Sequence, residues 1–226
     1  MKIKSLTVFI FLLLLGVPLI AVPLFADIKR ETNTNRLQAL QTQANKGMPD
    51  AQFKLGIAYQ FGYNTNSNDG EAQRWYLKAA RQGYSEAQFD LGVAYDEGRG
   101  VTQDTGKAFS WYHRAADQGH ANAQYNLGIS FELGQGVKRD LSQAVDWYRL
   151  AAEQGHGDAQ LNLGAAYANG RGVPQDFIVA HMWFELAANN GLSQAIASQD
   201  IIASKMAQDD IEKAQKLVQQ IVSVTP

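Results

Sequence analysis

The 226-residue chain contains no cysteine, which excludes disulfides, thiolate metal sites and a cysteine nucleophile together. That absence leaves the compartment open, since exported chains also do without disulfides. No block of Lys or Arg interrupts a formal net charge of −2, so no nucleic-acid partner is expected. H-E-x-x-H, G-x-S-x-G, a Walker loop and S-x-x-K are all missing. The four histidines, His113, His120, His156 and His181, show no ordered ligand spacing. His120 and His156 read as surface-turn residues and His113 as solvent-facing. The acids are dispersed, as on solvated helix faces. An enzyme is not expected, and no cofactor or metal is implied.

The chain opens on a hydrophobic segment. Lys2 and Lys4 precede an uncharged run from Ser5 to Ala26, and Ala26 ends a candidate cleavage site before Asp27. The same run is long enough to span a bilayer, and Leu24 is larger than the ideal residue near a cut. Residues 1–26 are therefore a signal peptide or an N-terminal transmembrane anchor. Either role places the remainder outside the cytoplasm: periplasmic, secreted, or anchored to the inner membrane. Membrane contact is then confined to residues 1–26 in an uncleaved chain.

Beyond residue 47 the sequence repeats itself. The four tryptophans, Trp75, Trp111, Trp147 and Trp183, are spaced 36 residues apart. Ala-Gln pairs start at Ala51, Ala87, Ala123 and Ala159, and Leu-Gly pairs at Leu55, Leu91, Leu127 and Leu163. Double alanines and closing glycines (Gly83, Gly119, Gly155, Gly191) keep the same step. Such self-similarity signals a solenoid and outranks local motifs. It also dissolves the one phosphate-loop candidate. "YDEGRGVTQD" at 95–104 returns as "FELGQGVKRD" and "YANGRGVPQD", with no preceding strand, so its glycines read as turn residues. The first copy departs, as "YQFGYNTNSN" at 59–68.

Each unit holds two helical patterns. Ala87, Leu91 and Tyr95 mark one face of the first; Ala108, Trp111, Tyr112, Ala115 and Ala116 form an apolar stripe on the second. Asn68, Asp104, Asp140 and Asp176 stand at second-helix starts, and Glu71 and Gln143 suggest two capping boxes. Gly56, Gly92, Gly128 and Gly164 fall in mid-helix, where glycine costs about 1 kcal/mol against alanine. Close approach of the two helix backbones is the expected reason.

The pattern A-Q-x-x-L-G-x-x-Y-x-x-G-x-G-V-x-x-D-x-x-x-A-x-x-W-Y-x-x-A-A-x-x-G resembles the Sel-1-like repeat (SLR), a branch of the tetratricopeptide superfamily. The resemblance implies an all-α, right-handed α-solenoid of antiparallel helix pairs. The expected layout is an N-terminal capping helix within 27–47, four repeats over 48–191 (48–83, 84–119, 120–155 and 156–191) and C-terminal capping helices over 192–226. It further implies a non-catalytic scaffold, adaptor or regulator of the bacterial cell envelope. An envelope hydrolase or β-lactam-binding protein, as suggested for cysteine-rich relatives, is the alternative; nitrocefin turnover discriminates the two.

By analogy with the superfamily, the first helix of each unit lines a concave groove. Its floor would be Phe53, Ile57 and Phe61, then Phe89, Val93 and Glu97, then Tyr125, Ile129 and Leu133, and last Leu161, Ala165 and Asn169. Asp50, Glu86, Asp96, Glu132 and Asp158 would edge it, which suits a protein or peptide carrying basic residues. The column Phe53, Phe89, Tyr125 and Leu161 fits two roles, groove floor or packing of one unit on the next. The column Phe61, Glu97, Leu133 and Asn169 varies freely.

Overall fold

The structure is a computed structural model that describes residues 35–224. The expected leader lies outside the described residues, as do residues 27–34 of the N-terminal cap. Helix α1 covers residues 35–45. Four pairs follow: α2 (Pro49–Phe61) with α3 (Asp69–Arg81), α4 (Ser85–Glu97) with α5 (Thr105–Ala116), α6 (Ala121–Leu133) with α7 (Leu141–Glu153), and α8 (Gly157–Asn169) with α9 (Phe177–Asn189). Helices α10 (Ser193–Ala203) and α11 (Gln208–Val224) close the array, and no strand occurs among the described residues.

The repeat dictates the packing. Leu55, Leu91, Leu127 and Leu163 are fully buried, ringed by alanines small enough to let neighbouring helices approach. Helices pack over both ends of the described array. Ala44 of α1 is buried against Ala51, Leu55 and Trp75. Ala214 and Val218 of α11 fold back onto Met182, Trp183 and Leu186 of α9.

Helix starts follow the sequence, with one correction. Asn68, Asp104, Asp140 and Asp176 all cap, each side chain accepting a backbone N–H of the first turn. The two capping boxes do not close. Glu71 instead pairs with Arg74 at 2.7 Å. The reason is that the backbone N–H of each capping residue is already donated to the carbonyl of Tyr59, Tyr95, Phe131 or Tyr167 at 2.7–3.0 Å, so no donor is left for a box to satisfy.

The mid-helix glycines also have a different cause from the expected one. A Cβ on Gly56, Gly92 or Gly128 would fall on the ring of Tyr76, Tyr112 or Tyr148, and one on Gly164 on the ring of Phe184. What approaches is a buried aromatic side chain of the second helix, not its backbone. The glycine removes a side chain so that the ring lies flat on the first helix.

The Ala-Gln pairs close the polar accounts of each joint. Gln52, Gln88, Gln124 and Gln160 are buried, and each donates Nε2 to a carbonyl near the end of the preceding helix: Ala44, Ala80, Ala116 and Ala152, at 3.1–3.2 Å. Their Oε1 atoms accept from Gln82, Gln118, Gln154 and Asn190 at 2.6–2.8 Å. Each of these carbonyls also accepts the N–H of Gly47, Gly83, Gly119 or Gly155, so the glutamine supplies a second donor at the buried helix end.

Candidate functional site

The three columns expected to line the groove have different surroundings. Phe53, Phe89, Tyr125 and Leu161 are half-buried. Three of them meet the ring that opens the next unit: Phe53 is tilted against Tyr84 (5.2 Å), while Phe89 stacks on His120 (4.7 Å) and Tyr125 on His156 (4.6 Å). Ile57, Val93, Ile129 and Ala165 are half-buried beside the core clusters. The third column is open. Phe61 is 58% exposed and Leu133 is 61% exposed, at the last turns of α2 and α6, and Glu97 and Asn169 are exposed as well.

Phe61 gains a neighbour from the loop that departs from the repeat. Tyr63 is exposed and stacks on it at 5.6 Å. Asn64 adopts φ +60°, the backbone that Gly100, Gly136 and Gly172 adopt in the other copies. Tyr63 and Asn64 border a depression of about 210 Å³ shared with Arg36, Leu37 and Leu40 of α1.

Of the expected acidic edge, part is committed internally. Asp50 pairs with Lys54 at 2.8 Å, and Glu132 pairs with Arg171 at 2.6 Å while accepting from the Tyr148 hydroxyl. Glu86 and Asp158 make no ion pair among the described residues.

His120 and His156 are not simple surface-turn residues. Both are half-buried helix N-caps whose Nδ1 accepts the backbone N–H of Ala123 or Ala159, at 3.3 and 3.2 Å. Sequence reasoning missed them because imidazole is an unusual cap; the aromatic at the equivalent position, Tyr84, was the available hint. Burial holds both imidazoles below the usual 6.5, with nearby acids opposing. His181, 3% exposed, is lowered likewise by burial, with Glu185 opposing. Burial acts the other way on Asp90, pushing its carboxyl up to about 6.

A pH dependence follows. The unfolded chain protonates its histidines near pH 6.5, while the folded chain resists, so the unfolded state binds more protons as pH falls. The histidine contribution is complete above that pH and is lost below it. Asp90 has the opposite sign: its folded pKa is raised, so its contribution is lost as pH rises through about 6. Asp90 is common to parent and variant and cancels in a comparison. His120→Asn/His156→Asn, which keeps capping oxygens, is expected to lose less stability than the parent between about pH 7.5 and pH 5. Urea melts of both proteins at the two pH values read this directly.

Chemistry-bearing clusters are sparse. Among the described residues no group of three or more His, Cys, Asp or Glu side chains could hold a metal ion. No described helix is long and apolar enough to cross a membrane.

Comparison with known proteins agrees with this architecture. The Sel1 repeat family matches residues 49–84, 85–120, 121–156 and 157–192. The chain is similar to a Sel1 repeat protein of Oxalobacter formigenes, at 34% identity and a TM-score of 0.68, over 82% of this chain and 75% of that one. It is also similar to c5321, a protective antigen of uropathogenic Escherichia coli with an SLR fold. There the identity is 31% and the TM-score 0.53, over 83% of this chain and 48% of that one. No curated protein matches it. Sel1 repeats are in general protein–protein interaction scaffolds without catalysis of their own. The chain belongs to the Sel1 repeat family.

Proposed function

We propose that the chain is an exported, non-catalytic scaffold of the bacterial cell envelope that binds a partner protein along its first helices. The observation that carries this reading is the open column at the ends of those helices. Phe61, with Tyr63 stacked on it, and Leu133 expose large apolar side chains that no element of the fold covers. Isolated apolar residues are common on surfaces, but these occupy one register two units apart, as anchors for an extended or helical segment would. Glu86 and Asp158, without internal ion pairs, supply an acidic rim that favours basic residues on the partner. The leader read in residues 1–26 supports export.

The test separates binding from folding. Phe61→Asp and Leu133→Asp remove exposed anchors, so each is expected to weaken partner binding about tenfold or more while leaving the melting curve in place. Binding is measured on the partner recovered by cross-linking from the native envelope. Unchanged affinity in both variants would remove the groove from the account.

A further inference from the structure

The repeat column of Gln73 is polar in the first and fourth units, as Gln73 and the buried His181, and apolar between them. The equivalent residues in the second and third units, Phe109 and Val145, are apolar. Gln73 is only 5% exposed, and neither its Nε2 nor its Oε1 has a hydrogen-bond partner. A buried amide left without partners costs about 1–3 kcal/mol. It also borders a depression of about 450 Å³ at the N-terminus of α3, within the size range of ligand clefts.

The sister units show what closes this place elsewhere. In the second, Phe109 meets Phe131 edge-on at 5.4 Å and His113 at 5.9 Å. In the third, Arg149 reaches across to the Tyr167 hydroxyl at 3.2 Å. The first unit sets Gln73, Tyr95 and Leu77 in those positions, and the depression stays open. It lies on the flank of α4 that carries Leu91 and Tyr95, roughly opposite Phe89 and Val93 by helical spacing. It is therefore separate from the column of Phe61 and Leu133.

The lining selects a chemistry. Glu71 and Arg74 at the rim pair with each other at 2.7 Å, so neither stands free to select an ion. Leu77, Leu91 and Val101 give an apolar wall. A carboxamide offers a donor and an acceptor side by side; the neutral group that satisfies both is another amide. We propose that this pocket binds a peptide segment, seating one apolar side chain on the wall and pairing a backbone amide with the Gln73 carboxamide. The proposal rests on the reading of the chain as a protein-binding scaffold and gives it a second contact point.

The probe is N-acetyl-leucine methylamide, one apolar residue between two amides. It is titrated into the full chain while NMR follows the methyl signals of Leu91 and Val101. Saturable shifts are expected with a dissociation constant in the range of roughly 1 mM, as suits a fragment. Gln73→Phe restores the plug of the second unit and is expected to abolish the shifts. Gln73→Leu keeps the space without the amide and is expected to weaken binding about tenfold. No saturable shift in the parent, or equal shifts in parent and both variants, overturns the proposal. Failure here with partner binding through Phe61 and Leu133 intact removes this pocket alone; loss of that binding removes the scaffold reading.

Discussion

Replacing Gly136 with alanine is expected to destabilise the fold by about 2–5 kcal/mol, far more than a methyl group on a surface loop normally does. Two independent costs meet there. Gly136 has φ +70°, a region in which a side chain costs about 1–2 kcal/mol. A Cβ at this position would also overlap the Thr105 carbonyl, at the start of α5 in the preceding unit. Backbone cannot rotate away as a side chain can, and overpacking of this kind costs about 1–3 kcal/mol. The second loop glycine is thus a joint between units, with Gly100 on Asp69 and Gly172 on Leu141 making the same approach. Gly119→Ala is the matched control. Its φ is +86°, but a Cβ there meets nothing within 4 Å. Urea denaturation is expected to rank Gly136→Ala well below Gly119→Ala; equal losses would show that conformation, not contact between units, sets the glycine.

The second large effect concerns Gly92. Leucine there must displace the Tyr112 ring from a site where it is almost fully buried, and a loss of about 3 kcal/mol or more is expected. Alanine is the more informative change. Better helix propensity returns about 1 kcal/mol against an overpacking cost of about 1–3 kcal/mol, which leaves a net loss of about 0–2 kcal/mol. Tyr112→Ala alone opens a cavity, costing about 3–5 kcal/mol. If ring and glycine form one contact, the double variant Gly92→Ala/Tyr112→Ala loses less than the sum of the singles, by about 0.5–3 kcal/mol. Additivity would favour a backbone-to-backbone approach between α4 and α5 instead.

The architecture was legible because it is written four times. Trp75, Trp111, Trp147 and Trp183 in step, with Leu-Gly and Ala-Gln at fixed offsets, leave little freedom for any fold but stacked helix pairs. The capping residues were legible for the same reason. What escaped were pairings between distant positions. The ring on Gly92 belongs to Tyr112, on the other helix, and nothing local to the glycine announces it. The capping boxes failed for a similar reason: Glu71 is rightly spaced, but the Asn68 N–H had gone to Tyr59 across the loop. His120 and His156 looked like turn residues because their partners, Phe89 and Tyr125, lie a full unit earlier. The three first-helix columns were legible as columns, whereas which of them stays exposed depends on the next unit's packing.

Departures from the repeat carry the functional information. Positions that obey it, such as Gln88 or Gly100, are explained by joints between helices. His181 and Phe184 depart from it in the fourth unit, and Tyr63, Asn64 and Gln73 in the first. Two open features cluster there, the Phe61–Tyr63 pair and the depression at Gln73. The first unit is accordingly where partner contacts concentrate in this account.

The central claim, that a partner protein lies along the open first-helix column, is tested most directly by site-specific photo-cross-linking in cells. A benzophenone amino acid is placed at Phe61, at Leu133 and, as a control, at Leu150, an exposed apolar residue on the second helix α7. The account predicts the same discrete polypeptide adduct at positions 61 and 133 and none at 150. Adducts at none of the three, or of equal strength at all three, would contradict it.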